Sequence, residues 1–333
     1  MHKAGAFAPF RVVNRGKTPI LMYHRFSESE GGTSTSARCF SEQVDYLNGH
    51  YELVSLSALA GYLNKGKRVP RGLAVITIDD GYRDCYDIAF PILRQRNIPA
   101  TLFVVTGFLD QTTWLWTDKV RYLISRAAGS LLETRIGDRV LRINLDGKVS
   151  RLSIAAGVNS ELKAIDDESK DAAILEMAAT LGIPLPVAPP DEFYPLSWEQ
   201  AREMDSNGIE VGSHTVTHPI LTRTTTQRLR YELSESRSRL ESVLGHKVDI
   251  LGYPNGNHNR AVLEETSRAG YKCAVAADYG LNNGNSNPLA LKRLHFEANM
   301  ARFVKSTSGF DGIRETLAHL RLGGAAGALE PGD

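Results

Sequence analysis

The chain has 333 residues, 42% of them apolar and 23% charged, with a formal net charge of +1; this is the profile of a folded protein with room for one large α/β domain or two ordinary ones. A balance this close to neutral excludes the basic footprint of a nucleic-acid binder and a polybasic membrane patch, and no apolar stretch is long enough to span a bilayer. Cys39, Cys85 and Cys273 are odd in number and widely spaced, which excludes a zinc-finger or disulfide pattern; with no secretory core in MHKAGAFAPFRVVNRGK, a cytoplasmic location is the expectation.

In chain order, PILMYHRF reads as a short strand ending at Tyr23 and His24, and SEGGTSTSA as a loop. FSEQVDYLNG has helical spacing, and a strand around Leu53 and a helix at LSALAGYLNKG follow. LAVITIDDG is a β-branched apolar run of strand length that stops on Asp79, Asp80 and Gly81. In mid-strand, adjacent carboxylates would point to opposite faces and one would be lost in the core. At a strand end Gly81 lets the backbone turn, and both acids can face the mouth of a sheet. Two roles stay open for them: capping the next helix, or holding a cation, since a buried carboxylate needs a partner.

DCYDIAFPILRQRN predicts a helix interrupted or begun near Pro91. ATLFVVT, IEVGSHT, ILGYP, KCAVAA and LKRLHF are further strands. Helices separate most of them: SWEQAREMDSNG, with Ser197 and Gln200 spaced as a capping box, TTQRLRYELSESRSRLESVLG, and NRAVLEETSRAG. This alternation predicts an α/β fold with a parallel sheet inside and helices outside, and about seven such strands close a barrel. Residues 118–190 break the rhythm with a helix at KVRYLISRAAG, a hairpin at TRIGDRVLRINLDG and a helix at DDESKDAAILEMAATLG. They read as an insertion packed on a single domain spanning residues 1–333.

EVGSHTVTHP places His214 and His218 four residues apart just past an apolar strand, where both imidazoles can converge on one ion. A lone HxxxH also arises from two surface histidines. Joined with the strand-end acids, the set becomes one carboxylate and two imidazoles, which leaves coordination positions open as catalytic zinc sites do.

TIDDG, SHTVTHP and GYPNG, in this order, resemble the motifs of the polysaccharide deacetylase family of carbohydrate esterases, which includes nodulation-type chitooligosaccharide deacetylases. ILMYHRF, FPILRQRNIPATLFVVTG, LSWEQAREM and GYKCAVAADYGLNNGNSNPLALKRL extend the resemblance, toward the branch associated with exopolysaccharide biosynthesis, over residues 18–118 and 190–305. It implies a distorted (β/α)7-type barrel with the site at the C-terminal strand ends. Asp80, His214 and His218 would then ligate a divalent metal, zinc first, with cobalt, nickel or manganese as alternatives. Asp79 would be the base toward metal-bound water, a division of labour that adjacent carboxylates in unlike environments can sustain. The backbone N–H of Asn255 would face the oxyanion, and Tyr253 and Pro254 would shape the groove wall.

The pattern departs from the family in two places. Gly252 stands where many members carry a base-orienting arginine, and Arg293 is the substitute candidate, with an exposed strand-edge charge as the alternative. The late histidine motif that supplies the family's general acid does not recur cleanly. Period-two alternation puts His295 on the face of Arg293, which favours it over His319. His24 is expected near the site mouth without being a ligand, and His258 in a turn. Trp114 is the candidate for stacking on a sugar ring, ahead of Trp116 and of Trp198, which should pack.

The expected activity is removal of N-acetyl groups from an N-acetylated amino-sugar polysaccharide, oligosaccharide or lipid-linked glycan. The alternatives are a metal-dependent amidohydrolase acting on a small non-sugar amide, and an inactive glycan-binding module. No protein partner is inferred.

Overall fold

In the computed structural model, residues 7–311 are described, apart from 31–33, 65 and 67; His319 falls outside them. Seven parallel strands form a closed ring: β1 (Ile20–Tyr23), β2 (Leu73–Ile78), β3 (Ala100–Val104), β4 (Ile209–Ser213), β5 (Ile250–Gly252), β6 (Cys273–Tyr279) and β7 (Leu291–His295). Each pairs with the next in the chain, and β7 returns to β1, with Leu294 opposite Leu21. The barrel is distorted. β5 has three residues and meets β4 through Leu251 and Ser213 alone, and the register shifts between β6 and β7. The strand predicted around Leu53 is Glu52–Leu53, which pairs with the start of β2 outside the ring.

Ile20, Val75, Phe103, Ile250, Cys273, Val275 and Leu291 pack as one cluster with Leu56 and Leu59 of the helix Leu56–Leu63. That helix lies across the N-terminal end of the barrel, where the Leu56 N–H donates to Thr101 at 3.2 Å and the Ser57 N–H to Glu210 at 3.1 Å. Ile76 and Ile78 point the other way, against Phe40, Val44 and Leu47 of the helix Ala37–Asn48. All six residues of β2 are buried, so the strand reads as an unbroken apolar run. The segment before Pro91 is a π-helical turn, Cys85–Ala89, continuing into the helix Phe90–Gln95. Proline lacks the N–H that would extend a regular helix backward through it.

Residues 116–181 form three helices, Trp116–Arg126, Arg151–Leu162 and Asp167–Leu181, and the antiparallel hairpin Leu131–Ile136 with Arg139–Asn144. They share their own apolar cluster, which also takes in Ile220 from just beyond His218. The helix Arg151–Leu162 is not among the elements the sequence predicts. Ser, Gly and Asn within it are weak helix formers, and its signal rests on the Ser150 cap and the spacing of Ile154, Val158 and Leu162.

Candidate metal and active site

Because every barrel strand runs the same way, the residues just past their C-terminal ends meet at one mouth. A cavity of about 310 Å³ there is lined by His24 after β1, Asp79 and Asp80 after β2, His214 and His218 after β4, Asn255 after β5, and Arg293 and His295 of β7. A larger cleft, about 450 Å³, between Arg15, Tyr51 and Arg71 shares no residue with it.

Asp80 Oδ1 lies 3.5 Å from His214 Nε2 and 3.4 Å from His218 Nε2. His214 Nδ1 is 2.7 Å from the Gly252 carbonyl oxygen, an acceptor only, so this nitrogen carries the proton and donates. Burial pushes the His214 pKa down to about 4, against the opposing pull of Asp79. The ring is therefore neutral, and its Nε2 lone pair faces Asp80. Asp80 Oδ1 is buried without a hydrogen-bond partner, as is His218 Nδ1. Burial, then repulsion from Asp79 and Asp118, drives the Asp80 pKa well up. A buried carboxylate oxygen that has no hydrogen-bond donor and faces the His214 lone pair is costly, and a cation relieves this. One carboxylate and two imidazoles suit a divalent transition metal with open positions.

Asp79 has the opposite surroundings. Arg293, 1% exposed, donates from Nη1 to Asp79 Oδ1 at 2.7 Å and to Thr77 Oγ1 at 3.2 Å, while its Nε donates to the Ala276 carbonyl at 2.8 Å. The strand-edge alternative for Arg293 is thus corrected: its charge points into the barrel. Burial alone would raise the Asp79 pKa, but Arg293, with His214 and His24 behind it, outweighs burial and holds the carboxyl well below its usual range. His24 Nε2 sits 3.8 Å from the other oxygen, Oδ2. Gly252 explains why the arginine comes from β7. A Cβ there would lie 3.0 Å from both His214 Nδ1 and the Phe103 ring, so in this packing a side chain would press on a site imidazole.

Asn255 adopts a left-handed φ of 57°, and the next residue, Gly256, comes so close to β6 that a Cβ would lie 2.2 Å from that of Ala277. His295 shares the cavity with Arg293 but is exposed at its rim, its ring stacked on Tyr279 at 6.2 Å. Three candidates are corrected. Trp114 is a core residue: it is 2% exposed, bonds the Pro186 carbonyl at 3.1 Å and packs on Tyr122 and Phe193. Tyr253 is fully buried, with its hydroxyl on the Leu289 carbonyl at 2.9 Å, and neither it nor the buried Pro254 lines the cavity. Period and motif could not say which way these rings turn. The aromatic lining the cavity is Trp116, whose indole N–H donates to the His218 carbonyl at 3.2 Å. Thr117 and Lys163 line it beside Trp116. Lys163 lies far along the chain from every motif and carried no sequence signal. His258 stacks on Tyr253 away from the cavity, and Trp198 packs under Arg239 with its N–H on Asp110.

The profile of a family described as "Polysaccharide deacetylase" matches residues 66–274. A Bacillus subtilis (strain 168) protein named as a polysaccharide deacetylase, YxkH, is 21% identical over 286 residues, covering 86% of this chain and 73% of that one. A poly-beta-1,6-N-acetyl-D-glucosamine N-deacetylase of Staphylococcus epidermidis is 30% identical over 100 residues, 30% of this chain and 33% of its own length. The chain shares its fold with the Streptococcus pyogenes deacetylase PplD (TM-score 0.59, 19% identity, 88% of this chain and 98% of that one). IcaB from Ammonifex degensii is similar to the same degree, with a TM-score of 0.59 and 19% identity over 88% of this chain and 97% of that one.

Proposed function

We propose a function from one premise: the chain belongs to the polysaccharide deacetylase family and is a hydrolase of it, an N-deacetylase. The reaction we assign is metal-dependent hydrolysis of the acetamide of an N-acetylated amino-sugar glycan, whether polymer, oligosaccharide or lipid-linked. The partial likeness to deacetylases of poly-beta-1,6-N-acetyl-D-glucosamine supports that substrate class. The observation that carries the metal reading is the orphaned, buried Asp80 Oδ1 between two imidazole nitrogens. A divalent cation, zinc first, held by Asp80, His214 and His218 would polarise the acetamide carbonyl and acidify the attacking water.

The remaining chemistry belongs to the chain's own groups. Asp79 stays ionised because Arg293 holds it so, and with Oδ1 engaged by Arg293 the free Oδ2 accepts the proton of the attacking water. As the carbonyl becomes tetrahedral, the Asn255 backbone N–H, presented by its left-handed turn, donates to the oxyanion. His295, at the cavity rim, gives a proton to the departing nitrogen, and the C–N bond breaks to acetate and the sugar amine. Tyr253 and Pro254 act from behind, as the packed base of the Asn255 loop.

The test is acetate release from N-acetylglucosamine oligomers with added zinc or cobalt. Chelation should abolish activity and metal should restore it, and Asp79→Asn should lower kcat by about 10²–10⁴ while metal still binds. If a chelator, Asp79→Asn and His214→Ala all leave the rate unchanged, the mechanism is wrong.

A further inference from the structure

The turn that carries the two imidazoles is strained. Thr215 and His218 both adopt left-handed backbone conformations, with φ of 69° and 59°, which a non-glycine residue keeps only where its surroundings enforce them. On the barrel side the turn is held by its carbonyls, with Thr106 N–H on the Thr215 oxygen at 3.0 Å and Gly107 N–H on that of Val216 at 2.9 Å. Its N–H groups are held from the opposite side by the helix Thr226–Leu244.

Two fully buried residues of that helix, one turn apart, do this. Glu232 Oε2 accepts from the N–H groups of Val216 at 2.7 Å and Thr217 at 3.0 Å, and Oε1 accepts from the Thr217 hydroxyl at 2.7 Å. Arg228, one turn earlier, lies 2.9 Å from the same Oε1 and from the Thr217 hydroxyl. Ser236 reaches Ser213 hydroxyl to hydroxyl at 2.8 Å; Ser213 Oγ in turn accepts the Thr215 N–H at 3.1 Å, and Thr215 Oγ1 the His218 N–H, also at 3.1 Å. Every residue from 215 to 218 thus has its N–H fixed by a side chain, through an unbroken path that begins on this helix face.

We propose that Glu232, with Ser236 one turn further on, is a positioning residue that sets the affinity of Asp80, His214 and His218 for their divalent cation. The proposal rests on the metal-dependent reading above. A carboxylate is required because Glu232 meets only donors. In Glu232→Gln an amide NH₂ turns toward a backbone N–H or the Thr217 hydroxyl and the Arg228 guanidinium. The turn then relaxes toward ordinary φ and His218 leaves its place opposite Asp80.

The experiment measures zinc affinity of the full chain by competition with a chromogenic chelator, alongside the visible absorption of the cobalt-loaded protein and the thermal stability of the metal-free protein. Glu265→Gln is the control: this buried glutamate is paired with Arg230 and Arg268 between two helices, and its loss lowers stability without touching the turn. Glu232→Gln should weaken zinc binding by about 10- to 100-fold and alter the cobalt spectrum, while Glu265→Gln binds as the wild type does. Should Glu232→Gln not fold, Ser236→Ala tests the same path and should weaken binding at least threefold. Wild-type affinity in whichever variant folds, or an equal loss in the Glu265→Gln control, overturns the proposal. A wild-type protein that binds neither metal overturns the metal reading itself, and this inference with it.

Discussion

Burial alone would push both Asp79 and Asp80 toward the protonated form, yet the Arg293 guanidinium 2.7 Å from Asp79 Oδ1 reverses the sign at one of them and leaves the other raised. Neighbours in sequence thereby become an ionised carboxylate, the proposed base, and a carboxylate with a raised pKa, the proposed metal ligand. Arg293→Gln should expose this. Removing one partner of a buried pair costs about 3–5 kcal/mol, and burial then dominates at Asp79. In the wild type the depressed pKa means the pair's contribution is present above the ordinary carboxylate pKa and is lost only as pH falls through the depressed value. In the variant Asp79 has a raised pKa, so acidification from neutral toward pH ~4 neutralises it and relieves the penalty. Denaturation of the metal-free proteins should therefore show the largest gap near neutral pH, narrowing as pH falls. The acid limb of kcat/KM should move to higher pH.

At the scale of elements, the site is made by the loops that leave the strands. Four of the six non-glycine residues with left-handed φ among those described are Asp80, Thr215, His218 and Asn255, so backbone strain is concentrated at the cavity. The helices around the barrel have to hold those loops in place. Arg230 donates two hydrogen bonds of 3.0 Å to Glu265, joining the helices Thr226–Leu244 and Arg260–Arg268, and Arg268 contacts the same carboxylate. These bonds, Arg230 first, lower the Glu265 pKa to about 2. The stabilisation is present above the unfolded pKa of about 4.3 and is lost as pH falls through about 2. Glu265→Gln should thus be less stable than the wild type at pH 7, with the two melting curves converging in strong acid. A constant difference down to pH 2 would refute the assignment.

For the molecule as a whole, the insertion is part of the site. Residues 116–181 have an apolar cluster of their own, and they place Trp116, Thr117 and Lys163 on the cavity wall. Lys163 is exposed, yet desolvation by the groups around the cavity lowers its pKa, and no carboxylate among the described residues pairs with it. An ammonium in that position is available to an oxygen of the glycan. Lys163→Ala should raise KM for an N-acetylated oligosaccharide roughly tenfold, the size of one charged hydrogen bond. Its effect on kcat should be smaller, and its effect on stability within about 0.5 kcal/mol. Steady-state kinetics showing a loss in kcat and no change in KM would count against a binding role.

What the chain's order determined by itself was local: β-branched runs of strand length, the Ser197–Gln200 capping box that the helix Trp198–Ser206 does display, and the acids and histidines that fall just past strands. From these came the barrel and the residues at its mouth, because parallel strands in a ring put every such ending on one side. Tertiary structure decided what depends on the direction of single side chains and on contacts between distant segments. Period two could align Arg293 with His295, but only packing buried one beneath Asp79 and left the other at the rim. Nothing in TTWLWTD told Trp114 from Trp116; the cluster of Tyr122 and Phe193 took the first, and the His218 carbonyl fixed the second at the cavity. Glu232 and Lys163 had no local pattern at all, since their meaning comes from partners that neither periodicity nor motif connects to them.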